Sequence, residues 1–503
     1  MNKFEKLEKT KKYMCLFFAA LFLFLPLASC SNGAGDKNIQ EGGAAGGDEA
    51  EATAPPTDYL DSIRPDVFGL DFGGHEFRVL TNDDGAHAIP LHTRDIVAEE
   101  ETGEPINDAV YRRNAELEEK FNIKITNIAL SENDSYAPAN AVKNAVLSGE
   151  DAYDLLVTYA PGAAQAAAAG HLLNWNSLPY IDMSKPWWFS GAVEGLSVGN
   201  KMFLSLSDLS ISTMHYVYMV YFNKELQKDF NVENLYELAR GKSWTFDKIA
   251  EITKGVTLDL DGDGAMTDND RYGAIISYAA LNFFYAGGNT LTAKDEDNYP
   301  YFDIISERSL NTFEKAYDIC HADYVRFAPE WQNENEMRDM FKAGQSLLYF
   351  HSLSKIDSLR DMEIDFGVLP YPKLDESQDK YYSYIDLHNP LMGIPKTVTD
   401  LERTGAIVEE MSYLSRKYLV PAYYDTTLKT KFARDEESVE MLDIIRDSVV
   451  FDFGCIYDVT TAFIFQTQIN ANKRELASAI EKRLGAAQKN LDKIIQAYED
   501  AEG

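Results

Sequence analysis

His75-Glu-Phe-Arg-Val-Leu80, running into the polar turn Thr81-Asn82-Asp83, opens the stretch whose reading decides the fold. The short apolar run suits a strand, and the pattern that follows keeps changing period. Ile106, Val110, Leu117 and Phe121 recur at helical spacing, and Asn122-Ile-Lys-Ile-Thr126 returns to strand alternation. Ala141 to Ser148 reads as a short helix. Tyr153-Asp-Leu-Leu-Val-Thr158 reads as a buried strand with a loop at Tyr159-Ala-Pro-Gly162. Strand, helix, strand, helix, strand is the order of a parallel α/β sheet, and such sheets meet ligands beyond the carboxyl ends of their strands.

The same alternation continues downstream. An apolar run from Tyr216 to Phe222 precedes helices expected near 224–230, 245–255, 308–320 and 334–343, and Phe366 to Lys373 reads as a strand entering a Pro-bounded loop. Leu476, Ile480, Leu484, Leu491, Ile494 and Tyr498 lay one apolar stripe along a final helix. No internal repeat is present. At 503 residues the chain exceeds what one core supports, so more than one lobe is expected. With 45% hydrophobic and 25% charged residues the composition is globular and not that of a disordered polyelectrolyte. The formal charge of −34 repels phosphate backbones, which argues against a nucleic-acid partner.

Residues 1–12 are lysine-rich, and Met14 to Leu27 form an apolar run too short to cross a bilayer as a helix. Leu27-Ala28-Ser29-Cys30 looks like the lipobox of bacterial lipoproteins, with small residues for the peptidase pocket and the Cys30 thiol as the lipid acceptor. Residues 1–29 are therefore expected to be a signal peptide, and 30–58 a lipidated, flexible Gly/Ala/Glu/Pro tether of about 25–30 Å r.m.s. reach. Five lysines and two glutamates leave with the leader, taking the charge from −34 to −37. The expected location is the outer face of the cytoplasmic membrane, held by the lipid.

The sharpest local motif is Asp259-Leu-Asp261-Gly-Asp263-Gly264-Ala265-Met-Thr267-Asp-Asn-Asp270. Carboxylates at loop positions one, three and five converge when glycine at position six turns the chain. Ala265 offers its carbonyl, Thr267 its hydroxyl, and Asp270 stands at position twelve in place of the usual Glu. The expectation is a structural Ca²⁺, with Mg²⁺ left open by the shorter final arm. The flanks read as helix before and strand after, so this is not a paired-helix calcium sensor. No organic cofactor is expected.

Several patterns together resemble the extracellular solute-binding proteins of bacterial ABC importers, in the carbohydrate-binding, type 1 group. They are Asn114-Ala-Glu-Leu-Glu-Glu-Lys-Phe-Asn122, Gly170-His-Leu-Leu-Asn-Trp-Asn176 with Ile181-Asp182, Tyr221-Phe-Asn-Lys-Glu-Leu226, Ser243-Trp-Thr-Phe-Asp-Lys-Ile249, Phe341-Lys-Ala-Gly-Gln345, and Phe366 to Lys373. They occur in the right order, and the resemblance covers nearly the whole chain from about residue 70. The resemblance implies a two-lobed α/β periplasmic-binding-protein-like fold with a hinge of crossing segments: 59–214 plus 366–418 as one lobe, 215–365 plus 419–503 as the other. It also implies that Phe366–Lys373 returns to the first lobe, and that a monomer captures a small carbohydrate and hands it to an ABC permease.

Ligand candidates are Trp187 and Trp188, whose indoles can cover a sugar's CH face, with Asn82 and Asp83 at the end of the first strand. Asp208 before the hinge, Tyr285 beside Gly287-Gly288, and His351 and Asp386 by position complete the set. Catalytic signatures are missing: there is no Gly-x-Ser-x-Gly, His-Glu-x-x-His or phosphate-loop pattern, and none of the eight histidines is paired at zinc spacing. The reading is a binding protein and not an enzyme. A carbohydrate-cleaving lipoprotein or a binding protein feeding a sensor are the alternatives. Whether Cys320 and Cys455 pair is left open.

Overall fold

The computed structural model describes residues 57–83, 93–130, 134–359, 361–428, 436–457, 461 and 463–501. The leader, Cys30 and nearly all of the expected tether lie outside the described residues. From Thr53 to Gly503 the chain forms one compact unit.

β1 (His75–Asn82) is flanked by two parallel neighbours, β2 (Ile123–Leu130) and β3 (Leu155–Tyr159). Between β1 and β2 runs α1 (Pro105–Phe121), which starts where Glu104 accepts from the Asn107 N–H at 2.7 Å and Pro105 takes a position needing no donor. It stops at Asn122, whose φ of 51° is left-handed, and buries Ile106, Val110, Leu117 and Phe121 as their spacing required. α2 (Ala137–Ser148) leads to β3, which passes directly into α3 (Ala160–Ala168). The loop expected at 159–162 is therefore a helix start, because Pro161 sits in the first turn, where proline is pre-set for a helix.

The second sheet is built from β4 (Tyr218–Asn223), β5 (Tyr272–Ser277), β6 (Val325–Ala328), β7 (Ser346–Ser352) and β8 (Phe366–Leu369), in the order β8-β4-β7-β5-β6. The expected helices appear at Lys224–Asp229, Phe246–Lys254, Glu307–Cys320 and Glu334–Lys342. One assignment changes. Phe366–Leu369, expected to return to the first lobe, pairs antiparallel with β4 inside the second sheet. The return is made later by β9 (Pro390–Gly393), antiparallel to β3 at the first sheet's edge. A single strand's apolar run does not say which sheet will accept it; that depends on pairing across the fold.

Two crossing segments lie side by side between the sheets, with Val217 bridging Ile385 and the Asp386 N–H donating to the Tyr216 carbonyl at 2.9 Å. The longest helix, α4 (Leu401–Leu428), has no counterpart in the sequence reading. Residues 404–415 are buried on every side, so the stripe that betrays a surface helix is missing. The last helix, α5 (Leu476–Asp500), buries Leu476, Ile480, Leu491, Ile494 and Tyr498 of the expected stripe, with Ala487 buried where Leu484 stays partly exposed. It also reaches first-lobe residues: the Tyr498 ring lies 4.8 Å from Phe203, and Lys201 donates to the Glu499 and Ala501 carbonyls. Cys320 and Cys455 are both free and buried, and burial raises both thiols, that of Cys455 to about 12. No helix among the described residues is long and apolar enough to cross a membrane.

Candidate functional site

Where β3 ends, the chain places Tyr159 and Pro161 at the carboxyl edge of the first sheet, opposite Tyr218 of β4 and Tyr278 just past β5. Between them is a cavity of about 280 Å³, and the second crossing segment supplies Tyr384, Asp386 and His388 to it. Residues from both lobes and from the crossing segment thus share one cleft, as expected beyond strand ends.

The walls are aromatic. On the first-lobe side Tyr136 meets Tyr159 edge-on at 5.6 Å, and the His388 ring lies 5.6 Å from Tyr159. On the other side Tyr218 and Tyr384 are 5.9 Å apart, with Tyr285 stacked on Tyr384 at 5.0 Å and 14°. Tyr278 has a φ of 49°, a strained conformation for a bulky side chain, and stays 43% exposed. Polar groups are few. Asp386 Oδ1 accepts from the His388 N–H at 2.9 Å and bonds the His388 ring Nδ1, which holds that imidazole above its ordinary value. Asn282 is buried, and its Oδ1 has no hydrogen-bond partner among the described residues. A larger groove of about 520 Å³, lined by Lys224, Gln227, Lys228 and Glu437, is built from the second sheet's side alone, so movement of the lobes would not enclose a ligand there.

Of the residues singled out from sequence, only Asp386 lines this cleft. The others are corrected. Trp187 and Trp188 are 0% and 3% exposed, and each indole N–H donates to Glu409 at 3.0 Å, so both are core. Asp208 is buried against Arg446 at 2.8 Å and Arg416 at 3.5 Å. Tyr285 is buried and donates to Asp452 at 3.2 Å, standing behind Tyr384. His351 stacks on the far face of the Tyr218 region at 5.9 Å, and burial pushes its imidazole down to about 3. Asn82 is buried: it accepts from the Thr158 hydroxyl at 2.7 Å and the Tyr159 N–H at 3.2 Å, and donates to the Ser135 carbonyl at 3.0 Å. It positions the first-lobe wall without reaching the cavity. The Asp83 N–H donates to Leu130, beside β2 and outside the cleft lining. The tyrosines that do form the walls carried no sequence signal beyond lying at strand ends.

The acidic loop folds as its spacing required in part. Carboxylate oxygens of Asp259, Asp261 and Asp263 gather within 4.8 Å of one another, and Gly264 has a φ of 86°. Such oxygens suit a hard cation. Asp270 is not in that group: it accepts from the Thr267 N–H at 2.7 Å, the Leu260 N–H at 2.8 Å and the Thr267 hydroxyl at 3.1 Å, and these donors hold its carboxyl below the usual range. Thr267 and Asp270 thus brace the loop. The Ala265 N–H donates to Asp263 at 2.7 Å, and Asp268 pairs with Arg326 at 2.5 Å.

Two α/β sheets joined by paired crossing segments, with an aromatic cleft between, define a two-lobed ligand-binding protein. The chain belongs to the family described as bacterial extracellular solute-binding protein, whose model matches residues 100–398. Among solved structures it resembles a cyclo/maltodextrin-binding protein complexed with maltotetraose (14% identity, 85% of this chain and 97% of that one, TM-score 0.52). Similar too are UspC of M. tuberculosis (14%, 82% and 100%, 0.53) and the maltose-binding periplasmic protein MalE of Listeria monocytogenes in complex with maltose (11%, 85% and 99%, 0.51). At these identities the likeness is one of fold. No curated protein matches the chain in sequence.

Proposed function

We propose that this protein captures a sugar or oligosaccharide between its lobes and delivers it to an ABC importer, held at the membrane by a lipid on Cys30. The cleft carries the reading. Tyrosine faces on both sides suit the apolar faces of sugar rings, and Asp386 and Asn282 offer acceptors for hydroxyls. Family membership and the maltodextrin-type neighbours support it. Binding would favour the closed form, since only there does a ligand touch Tyr159 and Tyr384 together.

Calorimetry on an oligosaccharide panel, with product analysis of each mixture, tests the reading. Saturable binding without turnover supports it; cleavage products would establish the hydrolase instead. Tyr159→Ala and Tyr384→Ala are each expected to weaken the bound sugar about tenfold, from the lost ring contact. Unchanged affinity in both would remove the cleft as the site.

The same proposal includes one structural Ca²⁺ held by Asp259, Asp261 and Asp263, a set that supports oxygen ligation. Chelator-treated protein titrated with Ca²⁺ is expected to show about one site and a higher melting temperature, both lost in Asp261→Ala. Absence of heat and of thermal shift would refute it.

A further inference from the structure

The cleft also constrains the charge of what it binds, an inference that rests on the carbohydrate reading above. Its fixed polar groups are unbalanced. Asp386 brings a carboxylate whose side chain is 25% exposed, and both bonds from His388 fall on Oδ1, leaving Oδ2 with no hydrogen-bond partner among the described residues. The Asn282 Oδ1 is a buried acceptor without a partner among the described residues, in a residue only 2% exposed. A buried acceptor left unpaired is unfavourable, and a carboxylate oxygen open to the cavity accepts strongly, so the two atoms together favour a ligand rich in donors. No lysine or arginine lines the cavity among the described residues. Around these acceptors stand the faces and edges of Tyr159, Tyr218 and Tyr384 (rings attract cations over their faces).

We propose that Asp386 is the specificity-determining residue of the cleft and that its ligand is a basic carbohydrate, an amino sugar or a short oligomer of one. The protonated amine is held at Asp386 Oδ2 with tyrosine around it, and a hydroxyl donates to Asn282. A charge-assisted hydrogen bond is stronger than the one a neutral hydroxyl makes at the same carboxylate. An acidic sugar placed at Oδ2 meets a like charge, and the one basic side chain in the lining, His388, is already engaged at Oδ1. Neutral sugars fall between.

The test compares matched ligands against the wild-type protein by calorimetry: amine, neutral parent and uronate forms in the gluco, galacto and manno series. In the series that binds, the amine form is expected to bind at least about tenfold more tightly than its neutral parent, with the uronate weakest. Asp386→Asn should bring the amine-to-neutral ratio close to one. Equal or tighter binding of the neutral or uronate form overturns the inference while leaving the carbohydrate reading intact. If no member of any series binds, both fall together. Should Asp386→Asn fail to fold, the wild-type ratios alone decide.

Discussion

Glu409→Ala is expected to destabilise the protein by about 2–4 kcal/mol near pH 6, read as a lower urea midpoint with an unchanged slope. Glu409 is 1% exposed on α4 and accepts the indole N–H of Trp187 at one oxygen and of Trp188 at the other, each at 3.0 Å. Removing it strands two buried donors, each of which costs about 1–3 kcal/mol unpaired. The carboxyl itself is under tension. Burial raises it from an ordinary 4.5 to about 7, against the lowering effect of the indole and backbone donors. A carboxyl whose folded value is raised keeps its proton where the unfolded chain has lost it. Its stabilising contribution is therefore present below about pH 4.5 and is lost as pH climbs through about 7. The span corresponds to roughly 3 kcal/mol. Glu409→Gln, which cannot ionise but accepts only one indole, should be less damaging than alanine and should flatten that part of the pH profile. A wild-type profile that matches Glu409→Gln between about pH 5 and pH 8 would show that Glu409 does not titrate in this window.

The second large effect is expected at Asp208. Asp208→Ala should lower stability by about 3–5 kcal/mol while leaving sugar affinity within a few-fold. The carboxylate is fully buried, receives Arg446 at 2.8 Å and Arg416 at 3.5 Å, and Arg446 in turn lies over the Phe189 ring at 4.8 Å. Deleting the acid leaves a guanidinium that is 11% exposed with its main counter-charge gone. Removing both partners is gentler, so the Asp208→Ala/Arg446→Ala pair should lose much less than the sum of the singles. A variant that kept its stability and lost sugar binding would return Asp208 to the role its position before the hinge first suggested.

Both residues show where sequence reading stops. Trp187 and Trp188 lie in a polar loop after Asp182-Met-Ser-Lys-Pro186, which locally resembles a sugar-stacking platform. What buries them is a glutamate more than 220 residues later, on a helix whose pattern was unreadable because it is buried all round. Asp208, by its place before the hinge, reads as a carboxylate for ligand hydroxyls. Its arginine partners lie more than 200 residues away. Asn82 was placed at the right strand end but does not line the cavity itself: it holds Tyr159, which does. Asp386, singled out by position, is the one candidate that lines the cleft.

The sequence by itself determined what is local and periodic. Alternating strand and helix patterns fixed the α/β class, the helical spacing of Ile106, Val110, Leu117 and Phe121 laid out the first long helix, and the spacing of Asp259, Asp261 and Asp263 with Gly264 drew three carboxylates together. Only the tertiary structure decided which sheet accepts Phe366–Leu369 and which aromatic residues face the cleft. Those outcomes turn on hydrogen bonds and burial between residues distant in the chain. An exposed tyrosine at a strand end and a buried tryptophan in a loop differ in nothing that their own neighbours in sequence record.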